Sequence, residues 1–137
     1  MMIWFYKLKV LITGSAGFIG FSLAIKLLKR NIEVIGIDNH NTYYDPKLKT
    51  ARVSLLEKFN NYCHKKTDIA DKDSINDIFL KNRPNVVVNL AAQAGVRYSI
   101  ENPYAYIESN INGYINILES CRHFEVQNLI YASSSSV

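Results

Sequence analysis

Seven residues, Gly14-Ser15-Ala16-Gly17-Phe18-Ile19-Gly20, constrain this chain more than any other segment. They follow an apolar run at 8–13 (LKVLIT) and open a stretch at 18–29 whose Ile19, Leu23 and Leu27 recur at helical spacing. Glycines spaced G-x-x-G-x-x-G between a strand and a helix suit a turn in which side chains would obstruct. Gly14 permits the sharp bend, Gly17 lets a ligand approach the backbone, and Gly20 lets the helix settle on the strand. The first N–H groups of the helix, and the positive end of its dipole, then face an anion such as a pyrophosphate. A glycine-rich turn that binds nothing is the other reading.

Asp38 decides which anion. It ends the second strand (33–37, EVIGI), eighteen residues beyond Gly20. A carboxylate there accepts both hydroxyls of an adenosine ribose and repels a 2′-phosphate. No Arg or Lys occurs at 39–46 to offset that charge, so NAD is expected over NADP. A turn-capping role is the alternative. Asp68-Ile69, after the third strand, can set a carboxylate near the adenine amino group with Ile69 against the ring, although a capping Asp fits equally well.

The remaining pattern alternates strand and helix. Pro46 suits the first turn of a helix running to about Phe59. Residues 62–67 form a weaker strand, and Asp71 can cap a helix over 72–81. Val86-Val87-Val88 has the β-branched character of a strand buried on both faces. A long helix fits 103–123, and 128–133 (NLIYAS) forms the last strand. Five strands joined by helices, with no hairpin signal, make an α/β fold: a doubly wound parallel sheet in the order 3-2-1-4-5. With 137 residues, 48% of them hydrophobic, the chain has room for one domain with a real core. Residues 1–7 are expected to be a short extension ahead of a domain at 8–137. Because nothing follows the fifth strand, the chain is expected to be the front portion of a larger protein.

Several classes are disfavoured. The net charge of +4 is scattered over helix faces, so no nucleic-acid partner is expected. No stretch is long and apolar enough to span a membrane, and no signal peptide is evident, so a cytoplasmic protein is expected. Cys63 and Cys121 form no CxxC, and His40, His64 and His123 show no metal spacing, so no metal is expected and the histidines are taken as lone or satisfied ones. Two Tyr-x-x-x-Lys spacings, Tyr43…Lys47 and Tyr62…Lys66, are set aside. The first lies in a loop near the adenosine end; the second lies on a strand, where four residues span about 13 Å and the pair cannot meet.

The segments TGSAGFIG (13–20), GIDNHNTYYDPKLKTAR (36–52), NLAAQAGVRYSIENP (89–103), SNINGYINILESCR (109–122) and YASSSSV (131–137) together resemble the extended short-chain dehydrogenase/reductase family, the NAD-dependent nucleotide-sugar epimerases and dehydratases. The YYDPxLKxxR and AAQAGVRYS stretches are most similar to UDP-glucuronate 4-epimerases. The resemblance implies a Rossmann fold, NAD, a UDP-sugar and a homodimer in the parent enzyme. It implies that Phe18 and Ile19 contact pyrophosphate through backbone, that Asp38 and Asn39 hold the adenosine ribose, and that Asp68 and Ile69 frame adenine. Leu90, Ala91, Ala92 and Gln93 would run along the cofactor, with Asn110 near the nicotinamide side. Arg97 would meet the anionic substrate. Ser134 would hydrogen-bond the sugar O4 and help pass its proton, and Ser135 and Ser136 would donate to the sugar carboxylate. A dehydratase of the family carries Asp-Glu where this chain has Ser135-Ser136, and hydroxyls cannot do that acid–base work near neutral pH. The family's general base, a Tyr-x-x-x-Lys about 25 residues after the serine, would lie beyond Val137. The chain alone is therefore expected to be inactive, with a stand-alone NAD-binding module, or part of another nucleotide-sugar epimerase or dehydratase, as alternatives.

Overall fold

A computed structural model describes residues 7–134. Ser135 and Ser136, and nearly all of the expected 1–7 extension, lie outside them. Five strands, β1 (Lys9–Thr13), β2 (Glu33–Asp38), β3 (Tyr62–Lys66), β4 (Val86–Asn89) and β5 (Asn128–Tyr131), form one parallel sheet in the order β3-β2-β1-β4-β5. This is the expected order, with the reversal between β1 and β4 that opens a crevice at the carboxyl ends of the strands.

Alternation along each strand divides the core into two layers. Leu11, Ile35, Ile37 and Val87 point to the face covered by α3 (Lys72–Asn82) and by the helix ending at His123, meeting Ile75, Phe79 and Ile117. Val10, Ile12, Val34 and Val88 point to the face covered by α1 (Phe18–Leu28) and α2 (Pro46–Leu56), meeting Ala24, Leu28 and Leu56. As expected, Pro46 begins α2 and Asp71 caps α3 through the Ser74 N–H at 3.1 Å; the structure adds Asp45 as the cap of α2, its side chain accepting from the Lys47 N–H. Helix α2 stops at Leu56 rather than near 59, because the chain turns there toward β3 through Phe59 N–H to Leu56 O.

The expected single helix over 103–123 is interrupted. The backbone forms α4 (Tyr98–Glu101), α5 (Pro103–Tyr106), a π-helical stretch (Ile107–Gly113) and α6 (Tyr114–His123). The wide turn has a tertiary cause. Asn110 and Asn116 both reach the ends of the sheet, one to the Gln93 backbone and the other to the carbonyls of Ile69 and Ala70. In a regular α-helix, residues six apart point about 120° away from each other. An i→i+5 turn changes that angle and so re-aims the two side chains. Gly113 lies directly against Ile69, where any side chain would collide.

Candidate functional site

The turn after β1 is built as the glycine spacing requires. Gly14 has φ +70°, and a Cβ on it would come within 3.0 Å of the Ala91 nitrogen. Helix α1 starts at Phe18 with Gly17 as its N-cap; no side chain caps it, and its first turn holds no acid. Phe18 and Ile19 turn their side chains to solvent, 75% and 65% exposed, which fits a role played by their backbone. Buried Ser15 ties the turn to β2, its N–H donating to Ile37 O at 3.1 Å.

Around this turn lies a cleft that opens to solvent. Gly14 and Gly17, Ile37, Asp38 and Asn39, Ile69, and Leu90 through Gln93 line it together. The sequence positions expected to meet one dinucleotide therefore converge. Asp68 stands one layer back: it accepts from Asn39 Nδ2 at 2.8 Å and from the Ala70 N–H at 2.9 Å, and so sets the Asn39 side chain. A second cleft adjoins the first through Leu90, Ala91, Ala92 and Ser109, and is also lined by Asn89, Asn110, Tyr114, Tyr131 and Ser134. Arg97 is exposed just before α4 and lines neither cleft.

Asp38 is nearly buried and faces the first cleft. One carboxylate oxygen accepts the Ala16 N–H at 3.2 Å; the other accepts the His40 N–H at 2.9 Å. The second oxygen also meets Lys49 Nζ at 3.0 Å, in an ion pair whose side chains are 12% and 5% exposed. The absence of a cation at 39–46 thus did not leave Asp38 uncompensated: the cation comes from the first turn of α2. Helical side chains lean toward the helix N-terminus, and this lean carries Lys49 back to the end of β2. Lys49 also donates to Asn41 Oδ1 and itself lines the cleft. Thr13 is a second residue that the sequence did not flag. Its buried hydroxyl donates to Asn89 Oδ1 at 2.6 Å and accepts the Leu90 and Ala91 N–H groups, fixing the segment that runs along the cleft.

Beside Asp38 the histidines are paired. His40 Nε2 and His64 Nε2 are 3.0 Å apart, and His64 Nδ1 is 3.2 Å from the Tyr62 hydroxyl, which donates toward Ser15 Oγ. Burial lowers the pKa of both histidines; nearby Lys66 depresses both further, and Asp38 opposes the fall. Unfolded histidine takes up a proton near pH 6.5, whereas this pair resists it, so the stability it contributes is present above that pH and is lost as pH falls below it. Thermal melts at pH 7.5 and 5.5 should therefore show a fall that shrinks in His64→Gln; an equal fall in both proteins would remove the pair from the explanation. Burial pushes the Tyr62 phenol up to about 12, the opposite of what a base near neutral pH requires. Among the described residues no group of three or more His, Cys, Asp or Glu side chains is placed to hold a metal ion.

The residues present fit a dinucleotide on structural grounds: an uncapped helix start behind a glycine turn, an acid and a lysine beside it, and small Ala91 and Ala92 along the floor. Comparisons with known proteins point the same way. Residues 11–137 match the family described as GDP-mannose 4,6 dehydratase. Protein CapI of Staphylococcus aureus is 56% identical over 130 residues, covering 95% of this chain and 39% of that protein. UDP-glucuronate 4-epimerase 4 of Arabidopsis thaliana is 46% identical over 129 residues, covering 93% of this chain and 29% of that protein. Among solved structures, UDP-glucuronic acid 4-epimerase of Bacillus cereus, in complex with UDP-glucuronic acid and NAD, superposes with a TM-score of 0.85 at 35% identity, over 95% of this chain and 41% of that one. UDP-glucose 4-epimerase of Thermus thermophilus, in complex with NAD, gives 0.79 at 35% identity, over 93% and 38%. The chain thus spans at most about two-fifths of the length of these relatives. On the family match, the sheet order and the cleft together, this chain belongs to the GDP-mannose 4,6 dehydratase family of NAD-dependent nucleotide-sugar epimerases and dehydratases.

Proposed function

We propose that residues 8–137 are the NAD-binding part of a cytoplasmic nucleotide-sugar epimerase whose whole reaction is C4 epimerisation of UDP-glucuronate to UDP-galacturonate through a 4-keto sugar. The observation that carries this reading is the pair of adjoining clefts: Asp38 and the start of α1 at one, Ser134 at the other, and Ala91-Ala92 between them. When bound, NAD supplies a hydride acceptor that later returns the hydride, so it is regenerated in each cycle.

This chain's own residues then divide the work. The backbone of Gly17, Phe18 and Ile19 faces the pyrophosphate; Asp38, Asn39 and Lys49 face the adenosine ribose; Ile69 packs against adenine, and Leu90 through Gln93 hold the line of the cofactor. The Asn110 side-chain amide accepts the Gln93 N–H at 2.9 Å and donates to the Gln93 carbonyl at 3.0 Å, so Asn110 acts by holding that line rather than by reaching the ligand. Ser134 meets the sugar O4, Ser135 and Ser136 its carboxylate, and Arg97, exposed outside both clefts, meets the anionic substrate. Hydroxyls at 135 and 136, in place of Asp-Glu, favour epimerisation over dehydration. The chain by itself does not epimerise, since neither of its Tyr-x-x-x-Lys spacings lies at the second cleft. The homodimer uses the exposed apolar stripe of Tyr104, Ile107, Ile111, Ile115 and Leu118.

Calorimetric titration with NAD and NADP tests the reading. NAD should bind more tightly than NADP, and the polypeptide should leave UDP-glucuronate unchanged. Equal affinity for the two would remove the role given to Asp38; binding of neither would remove the reading.

A further inference from the structure

We propose that Tyr43, seated against Gly95 and Tyr98, is a strap across the mouth of the cofactor cleft that must part before a dinucleotide enters or leaves. The proposal rests on the dinucleotide reading above. The loop carrying Tyr43 leaves β2 and the loop carrying Gly95 leaves β4, and these strands flank β1 on opposite sides. Contact between the two outer loops therefore spans the Gly14–Gly17 turn that lies between them. Tyr43 and Ala94 line the same cleft as Gly14 and Gly17.

The two sides of the bridge are held differently. On the β4 side the loop is pinned: the Tyr106 hydroxyl donates to the carbonyls of Ala94, at 3.0 Å, and Gly95, and Asn102 Nδ2 donates to the Tyr98 hydroxyl at 3.2 Å. On the β2 side, Tyr43 stands in the loop before α2, its ring 5.1 Å from Tyr98 and 4.7 Å from Tyr44. Gly95 has φ +98°, a conformation that disfavours any side chain, and the Tyr43 hydroxyl rests in the space a Cβ there would take. A fixed rail on one side and one aromatic latch on the other make a gate that opens by moving the latch. A cofactor restored in every turnover gains from such a gate, because release between turnovers serves nothing.

A gate and an ordinary ligand contact differ in kinetics. Losing a contact speeds release alone; losing a gate speeds entry and release together. Stopped-flow mixing of the full chain with NADH, and displacement of NADH by excess NAD, read both rates. Tyr43→Ala should raise each by about tenfold and leave Kd within about threefold, the size expected for one lost aromatic pair. Tyr98→Ala should do the same, and the double variant should be no faster than either, since both remove one latch. Tyr43→Phe, which keeps the ring, should stay near wild type, and equal melting temperatures exclude misfolding. If Tyr43→Ala does not fold, Tyr98→Ala and Tyr43→Leu carry the same expectation. Release alone rising, neither rate changing, or the two effects multiplying would overturn the strap while leaving the dinucleotide reading intact. A wild-type chain that binds no NADH would overturn both.

Discussion

Gly20→Ala is expected to lower the melting temperature by about 10 °C and to abolish NAD binding in the protein that remains folded. The reason is backbone against backbone. A Cβ at position 20 would press into the Gly14 carbonyl oxygen, 2.9 Å from the carbonyl carbon and 3.0 Å from the Ser15 Cα. No side chain can swing aside to make room. The Gly14 carbonyl accepts the Gly17 N–H at 3.0 Å, so displacing it opens the turn as well as lifting the helix. A cost of about 3 kcal/mol follows from overpacking of this kind. Differential scanning calorimetry with and without NAD checks both halves. A variant that melts near wild type and still shifts upward with NAD would show that α1 does not need its close seat.

Asp38→Asn is expected to cost about 3 kcal/mol of stability and to abolish the preference for NAD over NADP. The size comes from what the change leaves behind. The carboxylate accepts an N–H at each oxygen, from Ala16 and from His40, and pairs with Lys49. An amide accepts on one side only, so one of those N–H groups faces an NH₂, and Lys49 is left 12% exposed without its counter-ion. Breaking one partner of a buried pair is costly because the other stays buried. The same change turns the ribose end from paired charges to a net cation, which attracts a 2′-phosphate instead of repelling it. Urea unfolding gives the first quantity, and titration with the two cofactors gives the second. Unchanged discrimination would mean that shape, not charge, selects the cofactor here.

The parts of the molecule legible in advance were those governed by local chemistry. Glycine spacing, Pro46 at the start of α2, the cap at Asp71 and short apolar runs determine conformation within a few residues, and the sheet order follows the doubly wound pattern of strands alternating with helices. What escaped was set by residues distant in the chain. Lys49 reaches Asp38 only because α2 starts at Pro46 and folds back over β2. The π turn lies where Asn110 and Asn116 bond to backbone groups at Gln93 and Ile69, partners distant in the chain that helical periodicity cannot register. The histidines were taken as lone or satisfied; that His40 and His64 satisfy each other follows only from the pairing of β2 with β3, which makes positions 40 and 64 neighbours.

The widened turn at Ile107–Gly113 has a mechanical consequence. One rod carries both grips, Asn110 on the backbone of Gln93 and Asn116 on the carbonyls of Ile69 and Ala70. Sliding that rod along its axis would drag the segments after β3 and β4 together, so a single inserted or deleted residue between 107 and 116 would disturb both cleft walls at once, however far it lay from either.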